Sequence, residues 1–250
     1  MDIGTLIGLV LGIVLIAAAI LLGGSLVFFI SIPSFLIVVG GTIASVCVRH
    51  KVSEVVGAFA VMMKAFVVRV EPTEEIINQL VEMANIARKD GILALEKVKS
   101  GNAFLQGAVN QCVDGADPEF LTEILSKEVA YLAERHRKGV AIMESFGEFA
   151  PVYGVVGSLI GLIQMLASVD DPASIGPAMS LAFLSTFYGL LLAYLWAVPI
   201  AGKLGDVSAD EQLNRRVIID GMMGIQKGIN PRSLQEALKA ALPTSQRDLG

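Results

Sequence analysis

The sequence predicts an all-α integral membrane protein with four transmembrane helices and a helical cytoplasmic insertion between spans two and three. Three observations carry the prediction. All nineteen Lys and Arg residues fall within 49–138 and 203–247. Uncharged runs cover 3–48, 149–169 and 172–202, long enough to cross hydrocarbon, which takes about 20 apolar residues. Outside those runs the apolar residues recur at helical spacing, and no stretch alternates as a strand would.

The first run follows Asp2 rather than a Lys/Arg cluster and is too long for a signal-peptide core, so it is expected to remain as an anchor. The break at Gly23, Gly24 and Ser25, with the turn from Ser31 to Pro33, divides it into helices of roughly Ile3 to Leu22 and Pro33 to Val48. The second is short, so its ends must snorkel or the bilayer thin around it.

The insertion, 49–148, reads as helices. Val55, Phe59, Met62, Met63 and Phe66 recur at three- and four-residue spacing, as do Ile76, Ile77, Leu80, Val81 and Ala84. Thr73 with Glu75 and Asp117 with Pro118 read as helix starts. From Pro118 the pattern Phe120, Leu121, Ile124, Leu125, Val129, Leu132 has no breaker before Gly139, which leaves open a continuation into span three as one helix. Residues 149–202 form spans three and four, and 203–250 a helical tail with a further start at Asn230 and Pro231.

The connections near Gly24–Ser31 and Asp170–Gly176 hold no basic residue, whereas the insertion holds twelve and the tail seven. Basic segments stay inside, which places both termini in the cytoplasm. Cys47 lies in an apolar run and Cys112 in the insertion, so no disulfide is expected. The net charge of -5, with no basic track interleaved with aromatics, excludes nucleic acid as a partner. His50 and His136 lack metal-ligand spacing, and no nucleophile has a base in a recognisable motif, so an enzyme is not expected.

The spans contain no Asp, Glu, Lys, Arg or His. Such groups are costly in hydrocarbon and usually mark ion or proton paths. If ions cross here, the carboxylate must come from another polypeptide. Polar character gathers in spans three and four, at Pro151, Gly154, Gly157, Ser158, Gly161, Gln164, Pro177, Ser180, Ser185, Thr186 and Gly189. Gly157 and Gly161 form a small-xxx-small pair that suits close helix packing. The hydroxyls of Ser158, Ser185 and Thr186 can bond back to their own helices, or supply oxygen ligands to a partly dehydrated cation. Pro151 and Pro177 would free backbone carbonyls.

Five segments resemble the flagellar motor stator A-subunit family, MotA/PomA: ARKDGILALE at 87–96, AERH at 133–136, FAPVYGVVGSLIGLI at 149–163, DDPASIGPAMSLAFLSTFYG at 170–189 and LNRRVIIDGMMGIQKGINP at 213–231. The resemblance implies a bacterial inner-membrane ion channel. Five such subunits ring two copies of a single-span MotB/PomB-type B subunit, whose transmembrane Asp binds the ion, and torque passes to the rotor protein FliG. It implies no cofactor, only a transported ion.

Carried over by position, Arg88 and Glu96, with Lys89 beside them, are implied to face the rotor. Pro151 and Pro177 are implied to lie near the channel. Ser158 and Thr186 match hydroxyl positions of sodium-type members and favour transient Na⁺ over H⁺ there, with Ser185 adjoining. Serine at 158 lacks one methyl of the usual threonine, and Lys97 departs from the acid that sodium-type relatives often carry. The rival resemblance is an ExbB/TolQ-type energiser coupling ion flow to a periplasm-spanning partner. Those proteins usually have three spans and lack the 88–96 segment.

Overall fold

The structure, a computed structural model, describes residues 3–65 and 70–247, without the side chains of 3, 59–65, 246 and 247. Among the described residues every regular element is a helix. Helix α1 runs Ile3–Gly23. A 3₁₀ turn at Leu26–Phe29 leads to α2, Ile32–Phe35, which continues through a π-helical stretch, Leu36–Gly40, into α3, Gly41–Arg49. Then come α4 (Val52–Ala65), α5 (Thr73–Asp90), a 3₁₀ helix at Ile92–Lys97, α6 (Ala103–Val113), α7 (Pro118–Ala167) and α8 (Pro172–Leu190). A second π stretch, Leu191–Ala197, joins α8 to α9 (Val198–Gln226), and α10 (Pro231–Lys239) and α11 (Thr244–Arg247) close the chain. Four helical stretches, starting at Gly4, Leu26, Pro118 and Pro172, are long and apolar enough to cross a membrane.

Helices begin at all three expected starts, at Thr73, Pro118 and Pro231, but their caps differ. Asp117 Oδ1 accepts the amides of Glu119 (3.0 Å) and Phe120 (3.2 Å), and Asn230 Oδ1 accepts Arg232 N at 3.0 Å, so both cap their helices. Thr73 does not. Its hydroxyl donates to Asn214 Oδ1 at 2.7 Å, because a buried amide offers it a stronger partner than a solvated first turn. Helix α2 of span two starts at Ile32, one residue before the expected Pro33, with Ser31 as its cap: the Ser31 hydroxyl accepts Ser34 N at 3.3 Å. The division at 148/149 is no break in the helix, since α7 is one element of 50 residues. Likewise α8 and α9 are joined by helical backbone across 202/203. Of the apolar repeat in α4, Val55 is buried, the side chains of Phe59, Met62 and Met63 lie outside the described residues, and so does Phe66.

Packing divides the chain into two units, residues 1–69 with 136–205, and 70–135 with 206–250. In the second, Ile76, Leu80, Leu95, Leu105, Leu121, Ile218 and Met222 form a fully buried apolar core. Each large side chain there contributes about 1.5 to 3 kcal/mol by leaving water. A polar network closes one side of it. Asn214, buried, donates to Glu71 O at 2.7 Å while accepting from Thr73, and the Glu71 carboxylate accepts from Gln79 at 2.6 Å and Asn102 at 3.1 Å. Arg215 bonds Glu128 at 2.9 Å and Glu211 at 3.0 Å, its guanidinium 4.6 Å from the Phe104 ring.

In the first unit the spans lack that driving force, because lipid tails are as apolar as leucine, and close backbone approach takes its place. Val46, Ile142, Phe146 and Ala197 cluster at the end nearest Arg49. There Arg49 pairs with Glu148 and lies 5.8 Å from the Phe149 ring, and His50 Nε2 meets Ser145 Oγ at 2.9 Å. Cys47 and Cys112 are free thiols.

Candidate functional site

Glycines decide where spans three and four meet. A Cβ on Gly161 would stand 2.6 Å from Ala178 O and 2.7 Å from Ala182 N, and one on Gly189 would stand 2.6 Å from Ala150 O. Gly154 faces Ser185 O and the Thr186 Cα, and Gly157 faces the Ser185 side chain. The small residues therefore join these two helices of one chain, backbone against backbone.

That approach brings Ser158 and Thr186 together, their hydroxyl oxygens 2.5 Å apart. Ser158 Oγ also lies 2.7 Å from Ala182 O and 3.1 Å from Gly154 O, so four neutral oxygens converge at the edge of the helix contact. Both residues are half-buried. Pro151 sits inside α7, two turns before Ser158 and on the same stripe, given 3.6 residues per turn. Its missing N–H leaves Gly147 O without the usual helical donor.

Ser185 is placed differently. It is fully buried and donates to its own helix at Leu181 O, 2.7 Å away, so its oxygen is committed to the seam between the helices. Pro177 lies nine residues before Thr186 in α8 and is exposed.

Several residues of this region were not singled out by sequence reasoning. Tyr188 Oη donates to Phe29 O at 2.5 Å and accepts Ser31 N at 2.9 Å, fastening the connection between spans one and two to the helix that carries Thr186. Tyr153 Oη meets Ser45 Oγ at 2.8 Å, tying span two to the helix that carries Ser158. The sequence signal was a phenol within an apolar run, since a buried tyrosine hydroxyl needs a partner. The π stretches at Leu36–Gly40 and Leu191–Ala197 leave no such signature, although π segments gather at functional sites.

Arg88 and Lys89 occupy the last turn of α5, before Gly91 (φ 82°), and Glu96 the 3₁₀ helix beyond it. All three are exposed, and among the described residues none of them has a hydrogen-bond or ion-pair partner. Leu93, 71% exposed, stands among them, an apolar residue offered to solvent between charges.

The model of the MotA/TolQ/ExbB proton channel family matches residues 96–217. Chemotaxis protein PomA of Vibrio alginolyticus is 42% identical over 249 residues, 100% of this chain and 98% of that protein. The chain belongs to the MotA/PomA stator family. Motility protein A of Cereibacter sphaeroides is 38% identical across 99% of this chain and 98% of its own length. Among solved structures, C. jejuni MotAB matches with a TM-score of 0.89 and 31% identity, covering 100% of this chain and 99% of that one. The flagellar MotAB stator complex of Bacillus subtilis matches with a TM-score of 0.86 at 32% identity, covering 97% and 96%. Membership makes the chain an inner-membrane ion-channel subunit of a flagellar stator and not an enzyme, and what it handles is a transported ion rather than a bound cofactor.

Proposed function

We propose that this chain is the A subunit of a flagellar stator that carries Na⁺, assembling as a ring of five around a MotB/PomB-type B subunit and driving the rotor protein FliG. Chemistry favours the partner. The four oxygens around Ser158 and Thr186 can replace part of a hard cation's hydration shell, but the spans hold no acid to balance its charge. The acid is borrowed from the B subunit, and the MotAB pairing of the two solved relatives supports that reading.

The Ser158–Thr186 pair carries the choice of Na⁺. A proton handed to a carboxylate needs no coordinating cage, whereas a sodium ion leaving water does. Each ion crossing 100 mV releases about 2.3 kcal/mol, so a few ions offset a conformational step of several kcal/mol. Arg88, Lys89 and Glu96 are the rotor contact, exposed and without a hydrogen-bond or ion-pair partner among the described residues. The charge rule puts the insertion, the tail and both termini in the cytoplasm. The segments 1–48 and 149–202 stay in the bilayer, and 49–148 and 203–250 face the rotor. An ExbB/TolQ-type energiser fits less well, because full-length identity runs to PomA and motility proteins, through the first span and the 88–96 segment.

Swimming speed of a strain relying on this protein, titrated against external Na⁺ at constant pH, tests the proposal. Saturable dependence on Na⁺, shifted to higher concentration by Thr186→Ala, supports it. Speed that is independent of Na⁺ but follows pH overturns the sodium assignment.

A further inference from the structure

Within the second unit, α9 and α10 fold back on each other around Gly228 (φ 69°), and between them lies a recess of about 310 Å³. Its volume follows from residue size. Beside the turn the helices close tightly, since a Cβ on Gly224 would stand 2.5 Å from Leu234 Cδ1. Farther from the turn the lining is Ala237, Ala240 and Ala241, where longer side chains would fill the space. Val217 and Leu238, both buried, add apolar wall. Two charges of opposite sign share this recess, Asp220 and Lys227. They lie seven residues apart on one helix face, because the Lys227 amide bonds Met223 O at 3.0 Å and so prolongs the helical spacing of α9. They do not pair. Asp220 makes no hydrogen bond or ion pair among the described residues, and the Lys227 ammonium turns instead to the Met223 thioether at 3.3 Å, a weak acceptor. Burial raises the Asp220 carboxyl, as expected of a carboxylate beside apolar walls with no cation to offset them.

We propose that this recess binds a small zwitterion with an aliphatic middle, an ω-amino carboxylate, its ammonium on Asp220 and its carboxylate on Lys227. Mostly apolar walls with a few convergent polar groups are the usual make-up of a small-ligand site, and the volume lies at the small end of that class. Charge selects the ligand. A plain amine or a plain acid answers one of the two charges and leaves the other beside apolar wall, whereas a molecule charged at both ends answers both. Length selects it as well. Seven residues of helix rise about 10 Å, and the Lys227 side chain is drawn back by about a turn toward Met223, so the span to be bridged is roughly 5 to 10 Å. Extended 6-aminohexanoate matches that span, with its methylene chain against the alanine row of α10.

Equilibrium dialysis of the full-length chain in detergent against radiolabelled 6-aminohexanoate tests the assignment without reference to motility or to the ion carried. Saturable binding of one molecule per chain is expected. Two water-soluble analogues, 6-aminohexanamide and 6-acetamidohexanoate, each lack one of the end charges and should compete about tenfold more weakly. Asp220→Asn and Lys227→Gln should each weaken binding by about the same factor. Ala237→Leu, which fills the recess and alters no charge, should abolish binding, with unchanged thermal unfolding as the folding control. Absence of saturable binding, equal competition by either analogue, or undiminished binding in the Asp220→Asn variant would overturn the assignment.

Discussion

Ser158 and Thr186, 28 residues apart in sequence, hold their hydroxyl oxygens 2.5 Å from each other across the seam between spans three and four. Ser158 reaches Ala182 O, the same carbonyl that a threonine at 186 would bond in its own helix. Replacing Ser158 by alanine therefore leaves Thr186 a ready acceptor. The stability cost should be about 1 kcal/mol, seen as a small fall in thermal unfolding temperature in detergent. A fall of tens of degrees would show that the pair holds the helices together rather than lining a path.

Gly161 behaves in the opposite way. Its absent Cβ is replaced by Ala178 O and Ala182 N of the facing helix, and backbone atoms cannot rotate aside. Gly161→Val should cost about 1 to 3 kcal/mol or more by overpacking, while Gly40→Ala, with open space at its Cβ, should be silent. Thermal stability of the two variants in the same detergent separates them.

The Asn214 amide satisfies Glu71 O and the Thr73 hydroxyl inside the second unit. Asn214→Ala should cost about 1 to 3 kcal/mol, because a buried carbonyl is left unpaired. Hydrogen exchange should quicken first at the start of α5. Uniform protection across α5 in the variant would contradict this.

Arg88 and Glu96 make no hydrogen bond or ion pair among the described residues, so charge reversal at either should alter stability by no more than about 0.5 kcal/mol. Motility should nevertheless be lost. The double reversal Arg88→Glu, Glu96→Arg should not recover it, since the two do not pair with each other. Immunoblots of membrane fractions would confirm unchanged abundance, and full motility in all three variants would remove these residues from the rotor contact.

Burial pushes the Asp220 carboxyl above the ordinary carboxylate range. Its charged form is thus disfavoured in the folded chain, and the native protein loses a little stability as pH rises from the usual carboxylate value through the raised one. Asp220→Asn should unfold at a higher temperature than the parent at neutral pH and at the same temperature in acid, below both values. The gain is small, because the side chain is partly exposed. A gain that persists undiminished in acid would point to a different cause.

The four spans were legible because uncharged length is a one-dimensional property: a run without Lys, Arg, Asp or Glu needs no partner to be recognised. The caps at Asp117 and Asn230 were legible for a similar reason, since each acts within three residues of itself. The helix start at Thr73 was legible too, since α5 begins there, but its hydroxyl bonds a distant amide that no local pattern announces instead of capping the first turn. Ser185 could not be told from Ser158, as both are hydroxyls on apolar helices, yet one is sealed in the seam and the other stands at its edge.

By itself the sequence determined the membrane class, the segregation of charge, and the deficit that calls for a borrowed acid, all of which follow from solvation of each residue on its own. The tertiary structure alone decided which oxygens converge, and that Tyr188 and Tyr153 pin span two to the helices bearing Thr186 and Ser158. Those depend on how closely two backbones approach, and that distance is set by glycines acting in pairs from different helices, a relation that a linear pattern does not record.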